Sequence, residues 1–127
     1  AGMGADTMIS ILEAAPWLRG GAYRLILQCQ SKTPSLRQYL SRTGWEIVNE
    51  TALRDGRFLY TVMEVLWNPA AAKLTPGQCH FSPALARCTA PEAAEYRRWV
   101  LDLLRLAAEH RPKDEICQAL TELEENT

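Results

Sequence analysis

The sequence predicts an α/β domain that closes on an antiparallel hairpin and is followed by a helical arm. Three observations carry this reading. Helical and strand-like periodicities alternate through residues 1–67. An Asp-Gly pair, Asp55-Gly56, separates two runs rich in β-branched and aromatic residues. Beyond a stretch carrying Pro69, Pro76 and Pro83, the apolar spacing becomes helical and stays so.

Taken in order, Ala5, Met8, Ile9 and Leu12 share one face of a first helix, with Asp6 in its first turn and Pro16 ending it. Tyr23 to Gln28 is short, mostly apolar and bounded by loop residues, which predicts a strand covered on both faces in a parallel sheet. Thr33-Pro34 opens a second helix that turns Leu36, Tyr39 and Leu40 inward and ends with Gly44 as a left-handed cap. Trp45–Leu53 and Phe58–Trp67 form the hairpin. Residues 68–90 read as an extended crossing connection with a short turn near Ser82-Pro83. Thr89 and Glu92 have the spacing of a capping box, and Tyr96, Trp99, Val100, Leu103 and Ala107 follow at helical intervals. Pro112 separates that helix from a shorter one carrying Ile116, Leu120 and Leu123. The expected organisation is therefore residues 1–67 as the α/β part, 68–90 as a connection and 91–127 as a helical extension.

At 127 residues the chain fits one domain and buries enough surface to fold without staples. A net charge of −1 excludes a protein that coats nucleic acid by overall charge, so any RNA contact has to come from a local patch. No run approaches the roughly 20 apolar residues of a membrane helix, and no signal peptide opens the chain, which predicts a cytoplasmic location. Cys29, Cys79, Cys88 and Cys117 contain no CxxC pair and read as free thiols of a reducing compartment. Cys79, His80 and Cys88 lack zinc-ligand spacing, so no metal is expected. His110 reads as a charge complement at a helix end.

The string Ala-Gly-Met-Gly before a helix, then Leu-Ile-Leu-Gln, then a hairpin turning on Asp-Gly, resembles the bacterial tRNA (adenine-22-N1)-methyltransferase family in order and interval. The stretch from Pro83 to Leu106 resembles the start of that family's helical extension. The resemblance implies the back half of a Rossmann-like class I methyltransferase sheet, with S-adenosyl-L-methionine as cofactor and tRNA as partner. It covers only the C-terminal half of the family's fold, because the family's first strand and its acidic-His-Ala-Tyr-Leu-Pro segment are not in this sequence. The fragment is therefore expected to be inactive alone and to bind no cofactor, its cofactor-binding residues being unknown. Two departures stand out: Ala5 where the family has a further glycine, and Cys29-Gln30 where it has Pro-Asn.

By resemblance, Gly2, Met3 and Gly4 form the loop that meets the target base, the glycines permitting close backbone approach and Met3 offering a polarisable wall. The alternative is a tight turn without a ligand. Gln28, ending its strand, lies where open α/β sheets bind ligands, or else bonds a neighbouring loop. Arg97, Arg98 and Arg105, with Arg111 and Lys113, make the arm a candidate for tRNA phosphates, although most charged helix faces are merely solvated. Tyr96 and Trp99 are expected in the core, with an exposed stacking role as the lesser alternative. Methyl transfer to a ring nitrogen depends on alignment, so no Ser-His-Asp or Cys-His constellation is needed. A sheet ending at the Tyr23–Gln28 strand exposes an edge that invites homodimerisation. A non-catalytic RNA-binding or protein-interaction module is the alternative to the enzyme fragment.

Overall fold

The computed structural model describes residues 3–125. Helix α1 (Ala5–Ala14) buries Ala5, Met8 and Leu12, carries Asp6 in its first turn, and stops ahead of Pro16, which opens a 3-10 turn instead. Strand β1 (Arg24–Gln28) leads into helix α2 (Thr33–Thr43), which has Pro34 in its first turn and Gly44, at φ +125°, as its C-cap. Strands β2 (Trp45–Asp55) and β3 (Phe58–Trp67) make the hairpin. Its loop is the pair Gly56-Arg57, one residue later than the Asp-Gly pair itself. A positive φ of +60° at Gly56 alone is the pattern of a type II′ turn.

The sheet corrects one expectation. Its order is β1-β3-β2, and β3 runs antiparallel to both neighbours. β1 and β2 thus point the same way across α2, as an α/β crossover requires, but the returning hairpin strand lies between them, so every ladder among the described residues is antiparallel. Periodicity identifies a strand but not its partner. Nor is β1 covered on both faces here: Leu25 and Leu27 turn toward the helices while Arg24, Ile26 and Gln28 are exposed, because α1 and α2 pack on one side only. Met8, Leu12, Leu36, Leu40, Met63 and Val65 form that first core.

Residues 68–90 are less extended than expected. They hold two short helices, α3 (Pro76–His80) and α4 (Pro83–Ala86), each started by a side-chain cap and a proline at its first position. Thr75 and Gln78 form a reciprocal capping box, and Ser82 accepts a hydrogen bond from the Leu85 N–H. The box expected from Thr89 and Glu92 does not form. Helix α5 (Pro91–His110) begins at Ala90 without a side-chain cap, because Pro91 fixes the first helical φ and has no N–H needing a partner. Helix α6 (Asp114–Glu125) folds back beside α5. Leu85, Tyr96, Val100, Leu104, Ala119 and Leu123 gather with Ala52 and Leu59 of the hairpin into a second core, so the arm packs both on the sheet and on itself.

Candidate functional site

Two loops meet at the carboxyl end of β1. The Gln30 N–H donates to the Met3 carbonyl at 2.9 Å and the Ala5 N–H donates to the Ser31 carbonyl at 3.0 Å. Gly4 stands between these bonds as the N-cap of α1, and a Cβ there would lie 2.5 Å from Ser31 Oγ, a contact that rotation of that side chain relieves. Met3 is 43% exposed beside this seam. Gly2 lies outside the described residues. Gln28, the last residue of β1, is exposed, and its side chain has no hydrogen-bond partner among the described residues. Lys32 takes the left-handed conformation, φ 55°, unusual for a residue with a side chain, and its ammonium lies 3.3 Å from Asp6 on α1.

The second of these loops, Gln30 to Lys32, borders a cavity of about 370 Å³, whose lining does not include Met3, Gly4 or Gln28. Gln30 and Lys32 form one wall, Tyr60 and Thr61 of β3 another, and His80, Tyr96 and Trp99 close it. The volume is within the usual range of small-ligand sites, and its place outside the carboxyl end of β1 is where open α/β sheets bind ligands. Arg37, wholly buried on α2, sits behind the wall. It donates to the Cys79 and His80 carbonyls at 2.9 and 3.2 Å, to Tyr96 Oη at 3.3 Å and to the Glu50 carboxylate. Glu50 also accepts from Ser82 Oγ at 2.7 Å. One ion pair thus ties α2, the sheet, α3, α4 and α5 around the cavity. Burial, followed by the Arg37 charge, pushes the His80 imidazole below its ordinary pKa, favouring its neutral form.

The arm's arginines, grouped together by sequence, are separated by the fold. Arg97 donates to the Leu123 carbonyl, holding α6 against α5. Arg105 pairs with Glu124 at 3.1 Å and with Asp102 at 3.8 Å. Arg98 is exposed toward the hairpin turn and makes no hydrogen bond or ion pair through its side chain among the described residues. Tyr96 is in the core, as expected, but Trp99 is 48% exposed. Arg37 and Glu50 were not singled out from the sequence, and His80 was considered there only as a metal ligand. The signal for Arg37 was present, since it falls in the stripe Leu36, Leu40 and Ser41 of α2, where a charge must find a partner.

Among the described residues, no group of three His, Cys, Asp or Glu side chains is placed to hold a metal ion. The described residues also do not make a cradle for a nucleotide cofactor. β1 passes into α2 through Cys29-Gln30-Ser31-Lys32, and no glycine-rich turn leads from a strand into a helix. What the described residues supply is a cavity with aromatic walls, with a close-packed loop pair at one side of it.

A strand, helix and strand, with the last hairpin strand inserted antiparallel between them and a helical arm beyond, make up part of a Rossmann-like fold. The model of the tRNA (adenine(22)-N(1))-methyltransferase family matches residues 1–126, and the chain belongs to that family. MG248 of Mycoplasma genitalium, a candidate tRNA methyltransferase, is 32% identical over 85 residues, covering 67% of this chain and 38% of that protein. Streptococcus pneumoniae Sp1610, solved in complex with S-adenosyl-L-methionine, superposes with a TM-score of 0.74 at 30% identity over 97% of this chain and 57% of its own. The B. subtilis m1A22 tRNA methyltransferase TrmK shares the fold, with a TM-score of 0.68 at 22% identity over 98% of this chain and 57% of its own. The chain thus spans little more than half the length of these solved structures. No helix among the described residues is long and apolar enough to cross a membrane.

Proposed function

We propose that this chain is the C-terminal half of a cytoplasmic enzyme that transfers a methyl group from S-adenosyl-L-methionine to N1 of adenine 22 in tRNA, and that it is inactive alone. The observation that carries the reading is the hydrogen-bonded seam of Met3-Gly4 with Gln30-Ser31, opening on the aromatic-walled cavity at the end of β1. In this reading Gly2, Met3 and Gly4 shape the wall against the target base, and Gln28 offers an amide beside it. Arg98 is the leading phosphate contact of the arm. Arg97 and Arg105, engaged in holding α6, contribute from the same helix. The cofactor is held by residues beyond this chain. The reading as a non-catalytic module is not favoured, since the family match runs through the whole sheet as well as the arm.

The outer edge of β1 has no strand partner among the described residues, and we propose that it pairs with the remainder of the protein or with a second copy. Light scattering that gives a clean monomer at high concentration counts against the second copy.

The test of the enzyme reading is methyl transfer by the full-length protein to tRNA transcripts carrying adenine or guanine at position 22. Label confined to the adenine transcript is expected. Equal labelling of both, or of neither, overturns it. Calorimetry of the chain alone should show no S-adenosylmethionine binding, and a low-micromolar dissociation constant would show that the chain holds the cofactor by itself.

A further inference from the structure

The hairpin turn and the first half of α5 hold two aromatic rings in solvent. Phe58 is 69% exposed and Trp99 is 48% exposed. Both line an open groove together with Arg54, Arg57 and Arg98, and this groove runs into the cavity of the site, since Phe58, Leu59 and Trp99 border both. The packing of the described residues does not account for the exposure, because large aromatic rings left in water forgo the stabilisation that burial gives. The acids of the groove are engaged: Glu95 by Arg54, and Asp102 by Arg105 at 3.8 Å. Arg57 and Arg98 have no ion-pair or side-chain hydrogen-bond partner among the described residues. Two guanidinium groups without an ion-pair partner among the described residues therefore flank two exposed rings, in a groove that also holds Glu95 and Asp102.

We propose that this groove binds an unpaired nucleotide of RNA adjoining the one that enters the cavity, its base stacked on Trp99 and Phe58 and its phosphates on Arg57 and Arg98. The chemistry selects single strands, since the bases of a duplex have their faces stacked on one another and offer side chains only edges and backbone. Stacking tolerates any base, because each has a π-face, so the groove contributes affinity and register while the cavity selects the base. The identity of the RNA rests on the methyltransferase reading. The stacking groove itself rests on the exposed rings and unpaired arginines.

The probe is a fluorescein-labelled single-stranded RNA of ten nucleotides, titrated into the full-length protein beside a duplex of the same length. Tight binding of the single strand over the duplex is expected. Phe58→Ala and Trp99→Ala should each weaken it about tenfold, whereas Phe58→Trp and Trp99→Phe should retain it. Arg57→Ala and Arg98→Ala should each lower the salt slope by about 0.7. Phe58 is so exposed that its replacement leaves the folded core intact, which keeps the test open if Trp99→Ala is unstable. Equal binding of duplex and single strand, or indifference to Phe58→Ala, overturns the inference. So does a failure of the single strand to bind, which would assign the exposed stripe of Trp99, Leu103 and Leu106 to a protein partner. Methyl transfer separates the two readings. A protein that methylates tRNA but ignores Phe58→Ala refutes the groove alone. One that binds the strand through Phe58 but methylates no tRNA refutes the enzyme assignment alone.

Discussion

Arg37 Nη2 lies 2.5 Å from Glu50 Oε2, and both side chains are fully buried. A pair so removed from water stabilises little compared with an apolar pair of the same shape, but removal of one partner strands the other charge in the interior. Burial lowers the Arg37 pKa, but Glu50, with Tyr96 behind it, more than offsets that and raises it, so the guanidinium stays charged throughout the accessible pH range. Glu50→Gln should therefore destabilise the protein by about 3–5 kcal/mol in urea unfolding. The double replacement Arg37→Met with Glu50→Leu should recover part of that loss, which identifies the uncompensated charge as one cause, the remainder coming from the Cys79 carbonyl and the Ser82 and Tyr96 hydroxyls left without their partners.

His80 gives the fold a pH dependence with a definite sign. Its imidazole has a lowered pKa in the folded protein, so the unfolded chain takes up the proton first as acid is added. The stabilising contribution is complete above the ordinary histidine value near 6.5 and is lost as pH falls through the lowered folded value. Melting temperature should therefore fall as pH drops below the ordinary histidine value near 6.5, and His80→Gln should flatten that part of the profile. An unchanged slope in the variant would assign the dependence to other groups.

The four cysteines should separate by reactivity toward a thiol reagent in the folded state. Cys117 is exposed on α6 and Cys88 is half-buried, whereas Cys29 and Cys79 are buried. Burial foremost pushes the Cys79 thiol up, keeping it protonated, and Cys29 donates to the Ser31 carbonyl at 3.0 Å. One fast thiol, one slower, and two that react only on denaturation are expected. Rapid modification of Cys29 would mean that the loop pair at the end of β1 opens readily.

The sequence displayed elements more readily than their partners. The 3.6-residue spacing of Met8 and Leu12, the Thr33-Pro34 start and the Gly44 stop located the helices, since each is a local property of the chain. The insertion of β3 between β1 and β2 is not local, and no periodicity encodes it. Glu50 is the clearest case. Simple alternation from the buried Trp45 puts it on the outer face, but a bulge between Ile47 and Asn49 shifts the phase, turning Glu50 and Ala52 inward. The site follows the same rule: the Gly-Met-Gly loop was legible as a motif, while the charge state of its surroundings depends on partners 13 or more residues away. That distance is also why the bonds of Arg97 to the Leu123 carbonyl and of Arg105 to Glu124 on α6 have no signal in the sequence.

Met3 gives the sharpest kinetic test of the site. Its carbonyl is fixed by the Gln30 N–H at 2.9 Å, so the backbone stays in place when the side chain is shortened, and the residue is 43% exposed beside the seam. Met3→Ala should then remove contact with the reacting base without disturbing the groove that holds the rest of the RNA. An interaction made mainly at the transition state lowers kcat and kcat/KM together and leaves KM nearly unchanged. The expected result in full-length protein is a fall in kcat of about tenfold, equivalent to about 1.4 kcal/mol of lost transition-state stabilisation, with tRNA affinity in a filter-binding assay unaltered. Gly4→Ala should be tolerated, because its new Cβ meets only Ser31 Oγ, at 2.5 Å, and that exposed hydroxyl can rotate away while the Ser31 carbonyl stays 3.9 Å off. Both kcat and KM should then change little. If Met3→Ala instead raises KM at constant kcat, the side chain contributes uniform binding, and the wall against the reacting base must be sought among Tyr60, Tyr96 and His80.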